Sequence, residues 1–272
     1  MKRIQFLFGI LCLIPLTINA QTGYNNAGSR ANAMGNSSVT LQDVYSAQNN
    51  PAALAFVESI SVGLSTQNYF LVDGGIGAHH GVFALPIKEQ GVFGASVNYF
   101  GDNTFNQTQI GLGYGRKLGE NVSLGLQLDY IGTKTIEVGS GTAFTFDIGI
   151  LYRPLKSLTI AARAFNPIRS KTGLSYEEEL PAIINVGVAY QPSDKLIICA
   201  EGEQNINDDL RAKCGIEYHI AEQLFLRGGY ISNPSMFTGG IGVKVKELKL
   251  DLSAQFHQQL GLTPGLGISY NF

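Results

Sequence analysis

The fold is indicated by the last stretch of the chain, which reads GLGISYNF at residues 265–272. Large apolar residues alternate here with small or polar ones: Leu266, Ile268, Tyr270 and Phe272 share one face, and Gly265, Gly267, Ser269 and Asn271 share the other. A period of two is that of a β-strand, because successive side chains point to opposite faces. The stretch therefore predicts a strand with one apolar and one small, polar face.

The same alternation recurs upstream, in segments of about 9–11 residues, the length that a tilted membrane-spanning strand needs. We count about fourteen such segments from their period of two, at 58–70, 74–86, 91–101, 106–117, 121–135, 141–153, 157–166, 181–191, 194–204, 209–219, 221–232, 236–245, 247–257 and 261–272. The sequence therefore predicts an all-β fold, a transmembrane antiparallel up-and-down β-barrel, over residues 58–272.

This pattern, with its terminal aromatic residue, resembles the outer-membrane β-barrels of Gram-negative bacteria. The resemblance implies that the barrel lies in outer-membrane lipid. It also implies that Gly267, Tyr270 and Phe272 form an assembly signal, which the barrel assembly machinery reads. Tight turns alternate with longer loops along the chain. Because short turns are periplasmic in this architecture, both termini are expected in the periplasm.

The N-terminus predicts export from the cytoplasm. A basic start at residues 1–3 precedes an apolar core at 4–16, and a small residue follows at Ala20. This is the pattern of a secretory signal peptide, cleaved after residue 20. The alternative is a membrane anchor, but a spanning helix needs about 20 apolar residues and this core is shorter. A lipid anchor at Cys12 is disfavoured, because the small residue normally found before a lipidated cysteine is missing.

Composition argues against other classes of protein. The chain has 33 glycines, no tryptophan, 15% charged residues and a net charge of -2 at pH 7. This balance gives no electrostatic footprint for nucleic acid. The four histidines show no metal-ligand spacing, and His257 lacks the nucleophile and base that nucleophilic catalysis needs. We expect no cofactor, no nucleic-acid partner and no enzymatic activity.

Strand parity places several charged residues on the lumen face. The expected turn and loop centres put Asp147 opposite Arg163, and Asp129 opposite Asp147. A second hairpin puts Glu201 opposite Arg211. We favour a buried ion network that fills and stiffens the lumen. A polar gate and an acid pair for chemistry are the alternatives.

The second hairpin also places two cysteines. Its register aligns Lys195 with Glu217, and puts Cys199 in the lumen and Cys214 toward lipid. Cross-strand partners must share a face, so a disulfide between the two cysteines is disfavoured.

Residues 21–57 do not alternate, and they precede a barrel wall whose lumen face carries mainly glycine and serine over its first four segments. Such a wall leaves space. We therefore predict that residues 21–57 fold into the lumen as a plug, or hatch. A periplasmic linker that ends in a turn is the alternative.

Two motifs in this segment carry a family resemblance. Arg30, Ala31, Ala33, Met34 and Gly35 form the first, and Asn50, Pro51 and Ala52 form the second. Both resemble the start of FadL-like outer-membrane barrels and, within that superfamily, of the PorV/PorQ family of the Bacteroidetes. The resemblance implies a fourteen-stranded barrel with its N-terminal segment inside.

The resemblance implies two classes of function. FadL-like members admit hydrophobic molecules, whereas PorV/PorQ-like members serve type IX secretion as adaptors. Short outer loops favour a non-enzymatic adaptor or accessory subunit of an outer-membrane complex, with protein partners in that membrane. The alternative is a FadL-like transporter with a lipid-like ligand in the lumen.

Overall fold

The computed structural model describes residues 26–71, 75–136, 139–173, 178–206 and 208–272. The predicted signal peptide lies outside these residues, as do residues 21–25. Three short helices come first in the described chain: α1 (Ser29–Ala33), α2 (Ser46–Asn49) and α3 (Pro51–Leu54).

The strands that follow in the described chain are β1 (Ser61–Asn68), β2 (Gly77–Ile87), β3 (Gly91–Gly101), β4 (Phe105–Lys117), β5 (Val122–Thr135), β6 (Gly139–Leu155), β7 (Leu158–Phe165), β8 (Lys171–Thr172), β9 (Glu178–Glu179), β10 (Ile183–Ser193), β11 (Leu196–Asn205), β12 (Arg211–Ala221), β13 (Leu224–Ile231), β14 (Met236–Val245), β15 (Leu248–His257) and β16 (Gly261–Asn271). Among the described residues, no helix is long and apolar enough to span a membrane.

Strands β1–β7 and β10–β16 form a closed antiparallel barrel, in which each strand pairs with its neighbours and β16 pairs with β1. Ser61 lies opposite Asn271 and Gln67 opposite Gly265. The backbone N–H of Phe272 donates to the carbonyl of Ile60 at 2.8 Å. Closure pairs backbone groups that lipid cannot satisfy. The predicted fold class and the fourteen barrel strands are thus confirmed.

The two ends of the barrel differ in their connections. One end holds the start of β1, the end of β16 and tight turns such as Lys156–Ser157. We call it the short-turn end, and the opposite end the loop end. The connection from β7 to β10 at the loop end carries β8 and β9, a two-stranded sheet that the sequence did not predict. Which end faces the periplasm stays a prediction.

Alternation along the strands separates an apolar outer face from a polar inner one. Leu112, Leu128 and Phe144 point outward and are 66%, 63% and 71% exposed. Gln127 and Asp147 point inward and are buried. Apolar outer and polar inner faces are those of a membrane barrel.

Candidate functional site

Residues 26–57, which we call the lumenal segment, lie inside the barrel. Helix α1 contacts β13–β16 and β1, whereas α3 contacts β3–β6, which form the opposite wall of the barrel interior. Most residues of the segment are buried. The segment therefore crosses the barrel interior and rests on opposite walls. Whether it acts as a plug stays a prediction.

Helix α3 rests on a floor of three glycines. A Cβ atom built at Gly125 would lie 2.1 Å from the carbonyl carbon of Pro51, and one at Gly149 would lie 2.1 Å from Oδ1 of Asn50. At Gly115 the nearest atom would be the carbonyl oxygen of Pro51. Side chains at these positions would displace α3, so the small-residue wall is what admits it.

The Asn50-Pro51-Ala52 motif shapes the start of α3. The side-chain Oδ1 of Asn50 accepts a hydrogen bond from the backbone N–H of Ala52 at 3.0 Å, as an N-cap residue does. Pro51 occupies the first helical position, where a missing N–H costs nothing. Asn50 Nδ2 donates to the carbonyl of Val39 at 2.7 Å, and the Ser123 hydroxyl on β5 donates to the carbonyl of Ala52 at 2.8 Å. The motif thus ties α3 to the wall and to the rest of the segment.

Met34 and Gly35 end α1 against the opposite wall. Gly35 has a φ of +66°, and a Cβ there would run into the carbonyl oxygen of Cys214, so only glycine fits. Its N–H donates to Oγ1 of Thr238 at 2.9 Å, and that hydroxyl donates to the carbonyl of Ala33 at 2.9 Å. Met34 is fully buried.

Arg30 joins α1 to an ion cluster at the short-turn end. Its Nε and Nη2 each donate to a carboxylate oxygen of Glu217 at 2.8 Å, and Nη1 donates to Asp43 at 3.1 Å. Glu217 also accepts from Arg227, which reaches Asp251 at 2.6 Å. Burial disfavours the charge of Arg30, but the carboxylates of Glu217 and Asp43 outweigh it, so the pKa of the guanidinium is raised.

Tyr45 contacts the pair of strands that closes the barrel. Its hydroxyl lies 2.8 Å from the carbonyl oxygen of Leu64 on β1 and 3.0 Å from that of Ile268 on β16. The lumenal segment therefore reaches the closing pair as well as the two opposite walls that α1 and α3 contact.

The first predicted group of lumen charges is only partly assembled. Arg163 Nε donates to Oδ2 of Asp147 at 2.6 Å, although Asp147 lies opposite Phe165 rather than opposite Arg163. Asp129 lies opposite Thr145, not opposite Asp147. Its Oδ1 accepts from Gln109 and Gln127 at 2.9 and 2.8 Å. The predicted row of two carboxylates and one guanidinium is thus wrong, and an ion pair beside an amide-bound carboxylate replaces it.

The second predicted pairing is also displaced. Glu201 lies opposite Lys213, and Glu203 lies opposite Arg211, so the predicted opposition of Glu201 and Arg211 is wrong. Lys213 Nζ bridges Glu201 and Glu203 at 3.1 and 2.6 Å, and Arg211 meets Glu203 at 2.9 Å. The same displacement puts Glu217 opposite Ile197 instead of Lys195.

Glu201 has a role that the sequence did not suggest. Its Oε2 accepts the backbone N–H groups of Ser38 and Val39 at 2.7 and 2.9 Å. It therefore holds the middle of the lumenal segment as well as pairing with Lys213. Four other members of the charge clusters were also not named from the sequence, although their alternation along the strands places them on the inner face: Glu203, Lys213, Arg227 and Asp251.

The remaining predicted residues lie as follows. Gly267 faces inward and Ser29 packs over it, whereas Tyr270 and Phe272 face outward with ring centroids 4.8 Å apart. Their role as an assembly signal stays a prediction. Cys199 is buried and Cys214 exposed, and both are free. Nδ1 of His257 accepts the backbone N–H groups of residues 259 and 260, so it shapes a loop.

No family model matches this sequence, and no curated protein matches it. Solved structures do. A deltaS2 mutant of the TodX monoaromatic hydrocarbon channel aligns with a TM-score of 0.72 and 14% identity, over 91% of this chain and 99% of the other. The P. putida toluene transporter TodX aligns with a TM-score of 0.70 and 12% identity, over 91% of this chain and 99% of the other. A Pseudomonas aeruginosa FadL homologue aligns with a TM-score of 0.67 and 14% identity, over 92% of this chain and 99% of the other. At these identities the likeness shows that this chain and these proteins share a fold.

Proposed function

We propose that this protein is an outer-membrane channel for small hydrophobic molecules, closed by its lumenal segment. The observation that carries the proposal is the fold, which over 91% of the chain is that of a protein described as a monoaromatic hydrocarbon channel. The apolar outer face, with Leu112, Leu128 and Phe144 exposed, supports a place in a lipid bilayer. A transporter was the alternative in the sequence analysis, and we prefer it to the adaptor on the strength of this fold.

The lumenal segment is the element that must move for cargo to pass. Its helix α3 packs closely on the glycine floor, and two carboxylates of the barrel wall hold the segment by charge. Glu217 binds Arg30, and Glu201 binds the N–H groups of residues 38 and 39. Hydrogen bonds to charged groups contribute about 1.5–3 kcal/mol each. These two carboxylates therefore set much of the free energy that keeps the segment closed.

Uptake by whole cells tests the proposal. A Gram-negative host without a hydrocarbon importer is given radiolabelled toluene, and the initial rate of uptake is compared with and without the protein. We expect the protein to raise this rate, and Glu201→Gln to raise it further because the segment is held less tightly. Glu247→Gln, in an exposed turn, is the matched control and should behave as the wild type. Equal rates with and without the assembled protein would refute the channel.

The second candidate is the non-enzymatic adaptor or accessory subunit of PorV/PorQ type, serving a type IX-like secretion complex. The filled lumen favours it, because α1 and α3 rest on opposite walls and occupy the interior. Extraction in mild detergent separates the two candidates. A stoichiometric outer-membrane partner that copurifies supports the adaptor, whereas a lone barrel with a hydrophobic molecule in its lumen supports the channel.

A further inference from the structure

A cavity of about 200 Å³ lies at the short-turn end, next to the Glu217 cluster, with which it shares Arg30. It is enclosed by residues 40–42 of the lumenal segment and by β6, β7, β10 and β11. Arg30, Arg153 and Lys156 are its charged lining residues, and Thr40, Ser157 and Thr159 add hydroxyl groups. None of the described residues that line it is acidic. The cavity thus joins several hydrogen-bond donors to an excess of positive charge.

Arg153 is the group that distinguishes this cavity. The inward arginines Arg163 and Arg227 each meet a carboxylate. For Arg153, the part of the chain that the structure describes offers no such partner: Nη1 donates to the side-chain amide oxygen of Gln42 at 3.2 Å. Its guanidinium also lies 4.0 Å from the centre of the Phe56 ring. A cation–π contact orients the guanidinium without neutralising it.

Lys156 adds a second charge to the same cavity. It lies in the exposed turn between β6 and β7 and forms no ion pair with any described carboxylate. Arg30, in contrast, is already neutralised by Glu217 and Asp43. Arg153 and Lys156 are therefore the two cations whose charge is available to a ligand.

We propose that this cavity binds a phosphate group. A guanidinium fork matches the oxygens of phosphate, an ammonium group adds a point charge, and the hydroxyls supply further donors. Binding would compensate a half-buried arginine that otherwise faces the cavity unpaired. The phosphate belongs either to a soluble phosphate ester or to a phospholipid headgroup at the rim, since Lys156 is at the barrel edge. The site is independent of the hydrophobic cargo proposed above.

Calorimetric titration tests the site. The full-length protein, stripped of phospholipid in a maltoside detergent, is titrated with inorganic phosphate at low ionic strength. We expect saturable binding that Arg153→Gln weakens roughly tenfold, the loss expected when one charge-assisted hydrogen bond is removed. Arg153→Lys should retain part of the affinity. Lys134→Gln removes a cation at the loop end and should leave binding unchanged.

A short-chain, water-soluble phosphatidic acid distinguishes the two sources of phosphate. Tighter binding than inorganic phosphate assigns the site to a lipid headgroup, and equal or weaker binding assigns it to a soluble phosphate. Heat-modifiable mobility on gels verifies that each variant is folded. If Arg153→Gln does not fold, Lys156→Gln replaces it, because an exposed turn tolerates the change. The proposal is overturned if neither ligand binds saturably, or if the folded variants bind phosphate as tightly as the wild type.

Discussion

Replacing Gly125 by alanine asks directly whether α3 rests on the glycine floor. The added Cβ would lie 2.1 Å from the carbonyl carbon of Pro51 and 2.3 Å from the nitrogen of Ala52, whereas ordinary contacts begin at 3.4 Å. The backbone of α3 or of β5 must therefore move by about 1.3 Å, the difference between 3.4 and 2.1 Å, since neither atom belongs to a flexible side chain. Overpacking a core costs about 1–3 kcal/mol. We expect the upper part of this range for the loss in unfolding free energy.

The assay is a guanidinium titration of the detergent-refolded barrel, followed by circular dichroism, with hydrogen exchange of residues 50–57 measured in parallel. Gly132→Ala is the control, because it makes the same change on the outer face of β5, where the new methyl meets the Tyr130 hydroxyl at an ordinary 3.5 Å. Its effect should stay within about 0.5 kcal/mol. If Gly125→Ala matches this control in stability and in exchange, the packing of α3 against β5 is refuted.

Three further changes test the wall of the barrel. Arg163→Met removes the ion-pair partner of buried Asp147 and should cost about 3–5 kcal/mol in the same titration; adding Asp147→Asn should recover part of this, and strictly additive losses would contradict the pairing. Leu112→Arg puts a charge on the outer apolar face and should cost about 2–4 kcal/mol in lipid vesicles, whereas the same change at Leu118, in an exposed turn, should cost far less; equal costs would mean that this face does not meet lipid. Deleting Phe272 should lower the amount of heat-modifiable barrel in the outer membrane, and an unchanged amount would count against the assembly signal.

The faces of the strands could be predicted from sequence because a period of two is local. Cys199 and Cys214 were placed correctly on opposite faces for this reason. The closing pair of β1 and β16 followed from the same pattern, since a barrel leaves no open edge.

Register could not be predicted, because it depends on where each turn falls. The β6–β7 turn is at Lys156–Ser157, and the register shifts just before it, between Tyr152 and Leu155, so Asp147 lies opposite Phe165. The pairing in the β11–β12 hairpin is displaced by the same two residues. A shift of one residue would have exchanged the faces. A shift of two preserved them, so the predicted residues are inward but their partners are different.

The contacts of the lumenal segment were beyond the reach of sequence patterns. Arg30 and Glu217 are 187 positions apart, and the carboxylate that binds residues 38 and 39 is more than 160 positions away. Neither contact leaves a local periodicity. The run of small residues on the lumen face predicted a space and residues 21–57 as the segment that fills it, but not which residues of the segment contact which strands.

The contact of Tyr45 with both β1 and β16 has a consequence for the order of assembly. Those two strands are the most distant in the barrel along the chain, and pairing distant strands carries the largest loop-closure entropy. The glycine floor under α3 lies on β4, β5 and β6, which are consecutive strands and pair with their immediate neighbours. We therefore expect α3 to dock while the sheet is still an open ribbon. The Tyr45 hydroxyl can contact both carbonyls only once β1 and β16 lie side by side. We therefore expect the segment to enter from the side of the open sheet and to be enclosed when these two strands pair.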